Sequence, residues 1–257
     1  MRSPGEDVDR YVPRREQADP APRSGGRTGL PRCQGSPSAR IDAMPFQLEN
    51  PYLDEFESLM PEWRVPPHLR KLTMERYMAR QRMVARFAWA VPTTESVELL
   101  LRYAPLVEMG AGTGYWAWLV RQAGGDILAL DRYPPPDRRN RWHAGERQWT
   151  EVQPGGPRRL TRHAGRTLLL CWPPQDEPMA EQCLQVYEGQ TLIFVGELDA
   201  GEGLAGQLPA DPSASTRLSH PFEGWAVADS LELPRWESVN DRLFVLRRAA
   251  LRPQPYR

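Results

Sequence analysis

The sequence of 257 residues has few cysteines and histidines, almost no lysine and no net charge. Cys33, Cys171 and Cys183 are too few and too widely spaced for a disulfide framework or a CxxC zinc site. The four histidines show neither HxH nor HxxxH spacing, so no metal site is indicated. The 33 basic and 33 acidic residues cancel, which argues against electrostatic binding of nucleic acid.

Long apolar runs are also missing. No run approaches the roughly 20 apolar residues that a membrane-spanning helix needs. The first residues, Met1–Glu6, lack the apolar core of a secretory signal. We therefore expect a cytoplasmic protein without a membrane partner.

Residues 1–43 contain six prolines, five glycines and four serines, and Tyr11 is their only aromatic residue. Such a segment cannot bury enough surface to offset its chain entropy, so it is predicted to be disordered. Met44 begins the ordered-looking sequence and is a candidate for the true start.

Residues 44–103 predict a helical cap. Asn50 is a suitable N-cap, with Pro51 in the first turn of a helix that ends near Pro61. A second helix is predicted over about 67–89, where apolar residues recur on one face. Thr93 or Thr94 is expected to cap a third helix that continues to Tyr103.

Residues 104–257 form the second part of the chain, in which short apolar strands alternate with helices. Strands are predicted over 106–109, 127–130, 167–171 and 192–195, with a poorer candidate over 149–152. Helices are predicted over 116–123 and 176–187, and a terminal hairpin over 225–233 and 242–246. This alternation predicts parallel βαβ units in an open α/β sheet that ends in an antiparallel hairpin.

Three alternating glycines, Gly110, Gly112 and Gly114, separate the first predicted strand from its helix. Side chains at such a turn would keep a ligand away from its backbone, and the helix start offers free N–H groups. Ligands of open α/β sheets bind at this edge, outside the carboxyl ends of the strands. The dinucleotide fingerprint GxGxxG requires a glycine at position 115, where the chain has Tyr115.

Glu108 and the three glycines instead form the pattern acid-x-Gly-x-Gly-x-Gly. This pattern resembles motif I of the class I S-adenosylmethionine (SAM)-dependent methyltransferases. Asp131 closes the next strand, where that family places the acid that binds the ribose hydroxyls of its cofactor. A carboxylate suits a diol because it can accept from both hydroxyls. Over roughly 101–248, the resemblance implies an open, mostly parallel, seven-stranded Rossmann-like sheet with S-adenosylmethionine as cofactor.

The resemblance also implies which residues contact the cofactor. They are Glu108, Gly110, Ala111, Gly112, Gly114, Tyr115, Trp116, Asp131, Arg132, Cys171 and Trp172. The sequence Cys171-Trp172-Pro173-Pro174 departs from the Asn/Asp-Pro-Pro-aromatic motif of amino-methylating members. Cys171 lacks the oxygen that accepts a hydrogen bond from a target amine, which argues against amino methylation of a nucleic acid.

Candidate acceptor and catalytic residues are assigned on weaker grounds. Tyr77 and Trp89 of the cap are candidate substrate-binding residues, although aromatics at helical spacing usually belong to the core. Glu197, after the fifth strand, and His220, before the hairpin, are candidate catalytic bases, although each also fits an ordinary loop position.

The function expected is methyl transfer by in-line displacement to a small-molecule or peptide acceptor, which suits a neutral chain with nine tryptophans. The main alternative is a non-catalytic relative that binds SAM or acts as a scaffold. A nicotinamide oxidoreductase and a nucleic-acid methyltransferase are further alternatives, and the oligomeric state does not follow from the sequence.

Overall fold

The computed structural model describes residues 48–65, 73–174, 176–198, 222, 224–237 and 239–249. The segment 1–43, which is predicted to be disordered, and the candidate base His220 lie outside these residues. None of the helices in the described ranges is long and apolar enough to cross a membrane.

Within the described ranges, three helices precede the first strand: α1 (Pro51–Leu59), α2 (Met74–Arg86) and α3 (Thr94–Arg102). The predicted cap of α1 is confirmed, because the Asn50 side chain accepts the Leu53 N–H at 3.2 Å. Helix α3 is capped by Thr93, which forms a reciprocal capping box with Ser96. The Thr73 side chain caps the first turn of α2, and the helix ends at Arg86, before the predicted end near 89. The predicted helical residues 67–72 lie outside the described ranges.

Seven strands form one sheet in the order β3-β2-β1-β4-β5-β7-β6. The strands are β1 (Leu106–Met109), β2 (Ile127–Asp131), β3 (Gln153–Pro154), β4 (Thr167–Cys171), β5 (Thr191–Gly196), β6 (Trp225–Glu232) and β7 (Arg242–Arg248). Strands β1 to β5 run parallel, whereas β7 is antiparallel to both β5 and β6. The expected open α/β sheet with a terminal antiparallel hairpin is therefore confirmed, and it is the fold implied by the resemblance to class I methyltransferases.

Helix α4 (Tyr115–Gln122) connects β1 to β2, a short 3₁₀ helix (Pro157–Arg162) precedes β4, and α5 (Met179–Val186) precedes β5. Both sides of the sheet are covered: Leu106 packs in the cluster that includes the cap, and Val107 packs in the cluster that includes α5. Burial on both sides explains why the parallel strands are continuous apolar runs.

Residues 132–152, which we call the strap, join β2 to β3 without an α-helix. Three consecutive prolines, Pro134–Pro136, oppose helix formation here. The prediction of a strand over 149–152 is wrong, because backbone N–H groups of this stretch donate to groups outside the sheet. Trp149 N–H donates to the Thr113 carbonyl, and Val152 N–H donates to the Gln148 side chain.

Candidate functional site

A cleft opens at the carboxyl edge of the sheet, between the ends of β1, β2 and β4. From β1 the chain proceeds to β2 on one side, and β4 lies on the other, so the cleft is at the topological switch point. About 840 Å³ of non-atom space lies in the cleft, part of it open to solvent.

Six of the eleven predicted cofactor residues line this cleft: Gly110, Gly112, Asp131, Arg132, Cys171 and Trp172. Of the two predicted substrate residues, Trp89 lines it too. Tyr77 does not; it lies on α2 with about half of its surface exposed.

The glycine turn has left-handed backbone at Gly110 and Gly112, with φ of +76° and +53°. A β-carbon at position 112 would lie 2.6 Å from His143 Nε2, and one at position 110 would lie 2.8 Å from Met179 Cε. Real β-carbons do not approach other atoms this closely. The left-handed backbone favours glycine at both positions, and at position 112 the buried His143 ring also excludes a side chain, whereas the flexible end of Met179 can shift away from position 110.

Asp131 is held by two backbone donors at the edge of the cleft. Its Oδ2 accepts the Gly112 N–H at 2.9 Å and its Oδ1 accepts the Tyr133 N–H at 2.8 Å. An ionised carboxylate has about four acceptor sites, so two remain for a ligand. A diol fits this geometry because it brings two donors.

Glu108 does not line the cleft, although it was expected to contact the cofactor. Its side chain is buried beneath the turn, with 2% of its surface exposed, and it accepts a backbone hydrogen bond from Ala117 in α4. Burial, together with the nearby Asp131 carboxylate, raises the pKa of Glu108 to about 8. Glu108 is therefore mostly uncharged at neutral pH and supports the turn from the protein interior.

Tyr115 and Trp116 were expected to line the pocket, but both face the core. The Tyr115 hydroxyl donates to Asn50 Oδ1 at 2.8 Å and accepts the Tyr52 N–H at 3.0 Å. These contacts fasten the first turn of α4 to the start of α1. The helix is thus rotated so that its aromatic residues join the cap to the sheet.

Ala111 and Gly114 are also absent from the cleft wall. Ala111 N–H donates to the Leu130 carbonyl at 3.0 Å, which ties the turn to β2. Gly114 starts α4 and lies against Val152 of the strap. These two residues shape the turn rather than the surface that a ligand would meet.

Three tryptophans form one wall of the cleft: Trp89 from the segment after α2, Trp142 from the strap and Trp172 after β4. The Trp172 and Trp89 rings stack with centroids 5.7 Å apart, and Trp142 packs edge-on against Trp89 at 5.0 Å. Trp172 has φ of +47°, the only positive value at a non-glycine residue in the described ranges. Such a backbone is disfavoured and persists where its surroundings determine it.

Two hydrogen bonds hold Trp172 in this conformation. Its backbone N–H donates to the Val195 carbonyl at 2.9 Å, and its indole N–H donates to Asp241 Oδ1 at 2.6 Å. Asp241 is fully buried, and burial raises its pKa to about 7. Among the described residues, its Oδ2 has no hydrogen-bond partner.

Glu197 lies just beyond the carboxyl end of β5, as expected, but its side chain does not line the cleft. It is buried and accepts the Asn240 N–H. Cys171 does line the cleft, and burial raises the pKa of its thiol well above the usual value. A thiol in this environment behaves as a small apolar group.

Sequence analysis missed many residues of the cleft, among them His143 and Trp142 in the strap and Met179 at the start of α5. Asn140 Oδ1 accepts the backbone N–H groups of both Trp142 and His143, which directs the two side chains towards the cleft. The asparagine is the one local signal for this turn. In the described part of the chain, no group of histidine, cysteine and carboxylate side chains is arranged to hold a metal ion.

No protein-family model matches the chain, and no curated protein matches it. Among solved structures, it is similar to magnesium protoporphyrin IX methyltransferase from Synechocystis PCC 6803 with bound SAM. The identity is 12% over 76% of this chain and 94% of that chain, with a TM-score of 0.39. The methyltransferase domain of bacterial CtHen1 is 14% identical over 68% of this chain and 100% of its own, with a TM-score of 0.41.

A third similar structure is the Pyrococcus abyssi tRNA (uracil-54, C5)-methyltransferase in complex with S-adenosyl-L-homocysteine. It is 11% identical over 59% of this chain and 37% of its own, with a TM-score of 0.37.

Proposed function

We propose that this protein is a SAM-dependent methyltransferase that acts on a small-molecule or peptide acceptor. The observation that carries the proposal is the contact between Gly112 N–H and Asp131 Oδ2 at the switch point of the sheet. This contact brings the glycine turn together with Asp131, the acid expected to bind the ribose, in one cleft. This pairing is what the acid-x-Gly-x-Gly-x-Gly motif and the acid 19 residues after Gly112 suggest in the sequence.

The residues of the cleft fit the parts of the cofactor. A free acceptor site of Asp131 suits a ribose hydroxyl, and the backbone of Gly110 borders the space for the amino-acid portion. Arg132, the next residue along the same wall, would border the adenine. When bound, S-adenosylmethionine supplies a methyl group on a positively charged sulfur, with a neutral thioether as leaving group.

The wall of three tryptophans, Trp89, Trp142 and Trp172, supports an acceptor with an aromatic or alkylammonium character. Indole rings stack on flat groups and attract cations over their faces. Their role would be to hold the acceptor in line with the methyl carbon, since orientation alone supplies several kcal/mol of the barrier reduction. A base is required only for an acceptor that must lose its proton before transfer. Among the described residues, Asp131 and Glu177 are the only carboxylates that line the cleft.

Calorimetry with SAM and with S-adenosylhomocysteine tests the proposal. We expect the wild type to bind both at micromolar concentrations and Asp131→Asn to bind roughly tenfold to 100-fold more weakly, because charge-assisted hydrogen bonds contribute about 1.5–3 kcal/mol. Asp126→Asn is the matched control, since Asp126 precedes β2 at the opposite edge of the sheet, where it pairs with Arg166.

Absence of binding by the wild type, or equal affinity of Asp131→Asn and wild type, would contradict the proposal. Formation of S-adenosylhomocysteine with a panel of amine, phenol and thiol acceptors then separates a catalyst from a protein that only binds the cofactor. A fluorescence titration with NADH checks the nicotinamide alternative.

A further inference from the structure

His143 lies in the strap and lines the same cleft as Asp131. Its Nδ1 is 2.8 Å from the Ala85 carbonyl in α2. A carbonyl oxygen can only accept a hydrogen bond, so Nδ1 must carry the ring proton. In the neutral imidazole, the other nitrogen, Nε2, is therefore a bare acceptor.

The acceptor nitrogen of His143 faces the glycine turn. A β-carbon at Gly112 would lie 2.6 Å from Nε2 and 2.7 Å from the neighbouring Cδ2. The N–H of the same glycine donates to Asp131 Oδ2. His143 Nε2 and the Asp131 carboxylate thus both lie beside Gly112, on the surface where the ribose would bind.

The imidazole is suited to accept rather than donate at Nε2. Only 6% of the residue is exposed, and this burial lowers the pKa of His143, although the hydrogen bond to Ala85 and the carboxylates of Asp131 and Glu146 oppose the shift. The ring therefore remains neutral at physiological pH, with its proton held at Nδ1 by the cap.

We propose that His143 Nε2 accepts a hydrogen bond from a hydroxyl of the ribose bound at Asp131, so that the strap selects a ribonucleoside. This inference rests on the proposed function. A ribose diol offers two donors: one hydroxyl donates to a remaining site on Asp131, and the other donates to the single site on His143 beside Gly112. The Nδ1 contact with Ala85 fixes the orientation of the ring, so that the same side chain also joins the strap to α2.

Two substitutions distinguish the roles of the two ring nitrogens of His143. In His143→Asn, the side-chain amide can replace Nδ1 as a donor to Ala85, but nothing replaces Nε2. In His143→Gln, the longer side chain places a carbonyl oxygen near the position of Nε2, but the Nδ1 donor is lost. Calorimetry is carried out with S-adenosylhomocysteine and with 5′-methylthioadenosine, which keeps the ribose and lacks the amino-acid portion.

We expect His143→Asn to bind both ligands roughly tenfold more weakly than wild type, since a ribose hydroxyl is left without its partner. His143→Gln should stay within about threefold of wild type. Equal effects of the two substitutions, or a greater loss in His143→Gln, would show that the histidine only anchors the strap. A loss seen with S-adenosylhomocysteine alone would move the contact to the amino-acid portion and overturn the assignment to ribose.

Nitrogen NMR of the wild type provides a test that does not require either variant to fold. With ¹⁵N-labelled histidine, addition of 5′-methylthioadenosine should shift the His143 Nε2 resonance in the direction of a hydrogen-bonded acceptor and leave Nδ1 protonated. An unchanged Nε2 resonance at saturating ligand would overturn the inference. If the wild type binds neither nucleoside, the proposed function fails as well, whereas binding with an unchanged resonance refutes only the role of His143.

Discussion

Substitution of Gly112 by alanine tests the geometry of the turn in the most direct way. Two separate penalties are expected. The left-handed backbone, with φ of +53°, disfavours any residue with a β-carbon by about 1–2 kcal/mol. The added carbon would also lie 2.6 Å from His143 Nε2, and overpacking of this kind destabilises by about 1–3 kcal/mol.

Gly124 provides a matched control. It also has a left-handed backbone, with φ of +78°, but nothing lies within 4 Å of the position of its β-carbon. Gly124→Ala should therefore show only the backbone penalty of about 1–2 kcal/mol. Gly112→Ala should lower the free energy of unfolding by about 2–5 kcal/mol, the sum of both penalties.

Urea denaturation of four proteins measures the steric part: wild type, Gly112→Ala, His143→Ala and the double variant. Because the clash requires both side chains, the double variant should be more stable than additivity predicts, by about 1–3 kcal/mol. SAM affinity should fall in Gly112→Ala and remain unchanged in Gly124→Ala. Equal destabilisation by the two glycine substitutions, or strict additivity in the cycle, would refute the close packing of the strap on the turn.

Further predictions concern the buried carboxyl groups. The pKa of Glu108 is about 8 in the folded protein and 4.5 is its ordinary value, so the folded state holds a proton that the unfolded state releases. The free energy of unfolding should therefore fall as pH rises between these values, by at most about 1.4 kcal/mol per pH unit. Urea denaturation at pH 5 and pH 8 should show a smaller fall in Glu108→Gln and an unchanged one in the exposed control Glu95→Gln; equal falls in all three proteins would contradict the buried position of Glu108. The pKa of Asp241 is about 7 in the folded protein, above its ordinary value of 3.8, so its shift has the same direction as that of Glu108. Asp241→Asn should therefore also reduce the fall in the free energy of unfolding between pH 5 and pH 8. Trp172→Phe keeps an aromatic ring beside Trp89 but removes the donor to Asp241, and it should lower the free energy of unfolding by about 1–3 kcal/mol. This loss should shrink in the background of Asp241→Ala, which has no side-chain acceptor; a loss that Asp241→Ala leaves unchanged would place the indole N–H elsewhere.

The positions of Gly112 and Asp131 could be predicted from the sequence because each depends on short-range information. Alternating glycines between an apolar strand and a helix specify a turn, and an acid directly after the next strand must lie at the same edge when the strands are parallel. The strand alternation likewise predicts the sheet, since period and composition are local properties of the chain. Residues up to position 43 remain a prediction, because they lie outside the described ranges.

The orientation of side chains around that turn was decided only by tertiary contacts. Tyr115 follows the glycines directly, yet its hydroxyl donates a hydrogen bond to Asn50, 65 residues earlier in the chain. Which side of a helix faces a cleft depends on what packs against its other side, and the sequence of the helix does not contain that information.

The position of His143 in the strap also could not be predicted from the sequence. His143 lies in an irregular segment without periodicity, and its contacts with Ala85 and Gly112 come from residues 58 and 31 positions away. The sequence by itself determined the sheet, the glycine turn and the acid, because each is encoded within a few residues. Only the tertiary structure decided that a histidine and a third tryptophan complete the cleft, because their positions depend on contacts between distant segments that form when the chain packs.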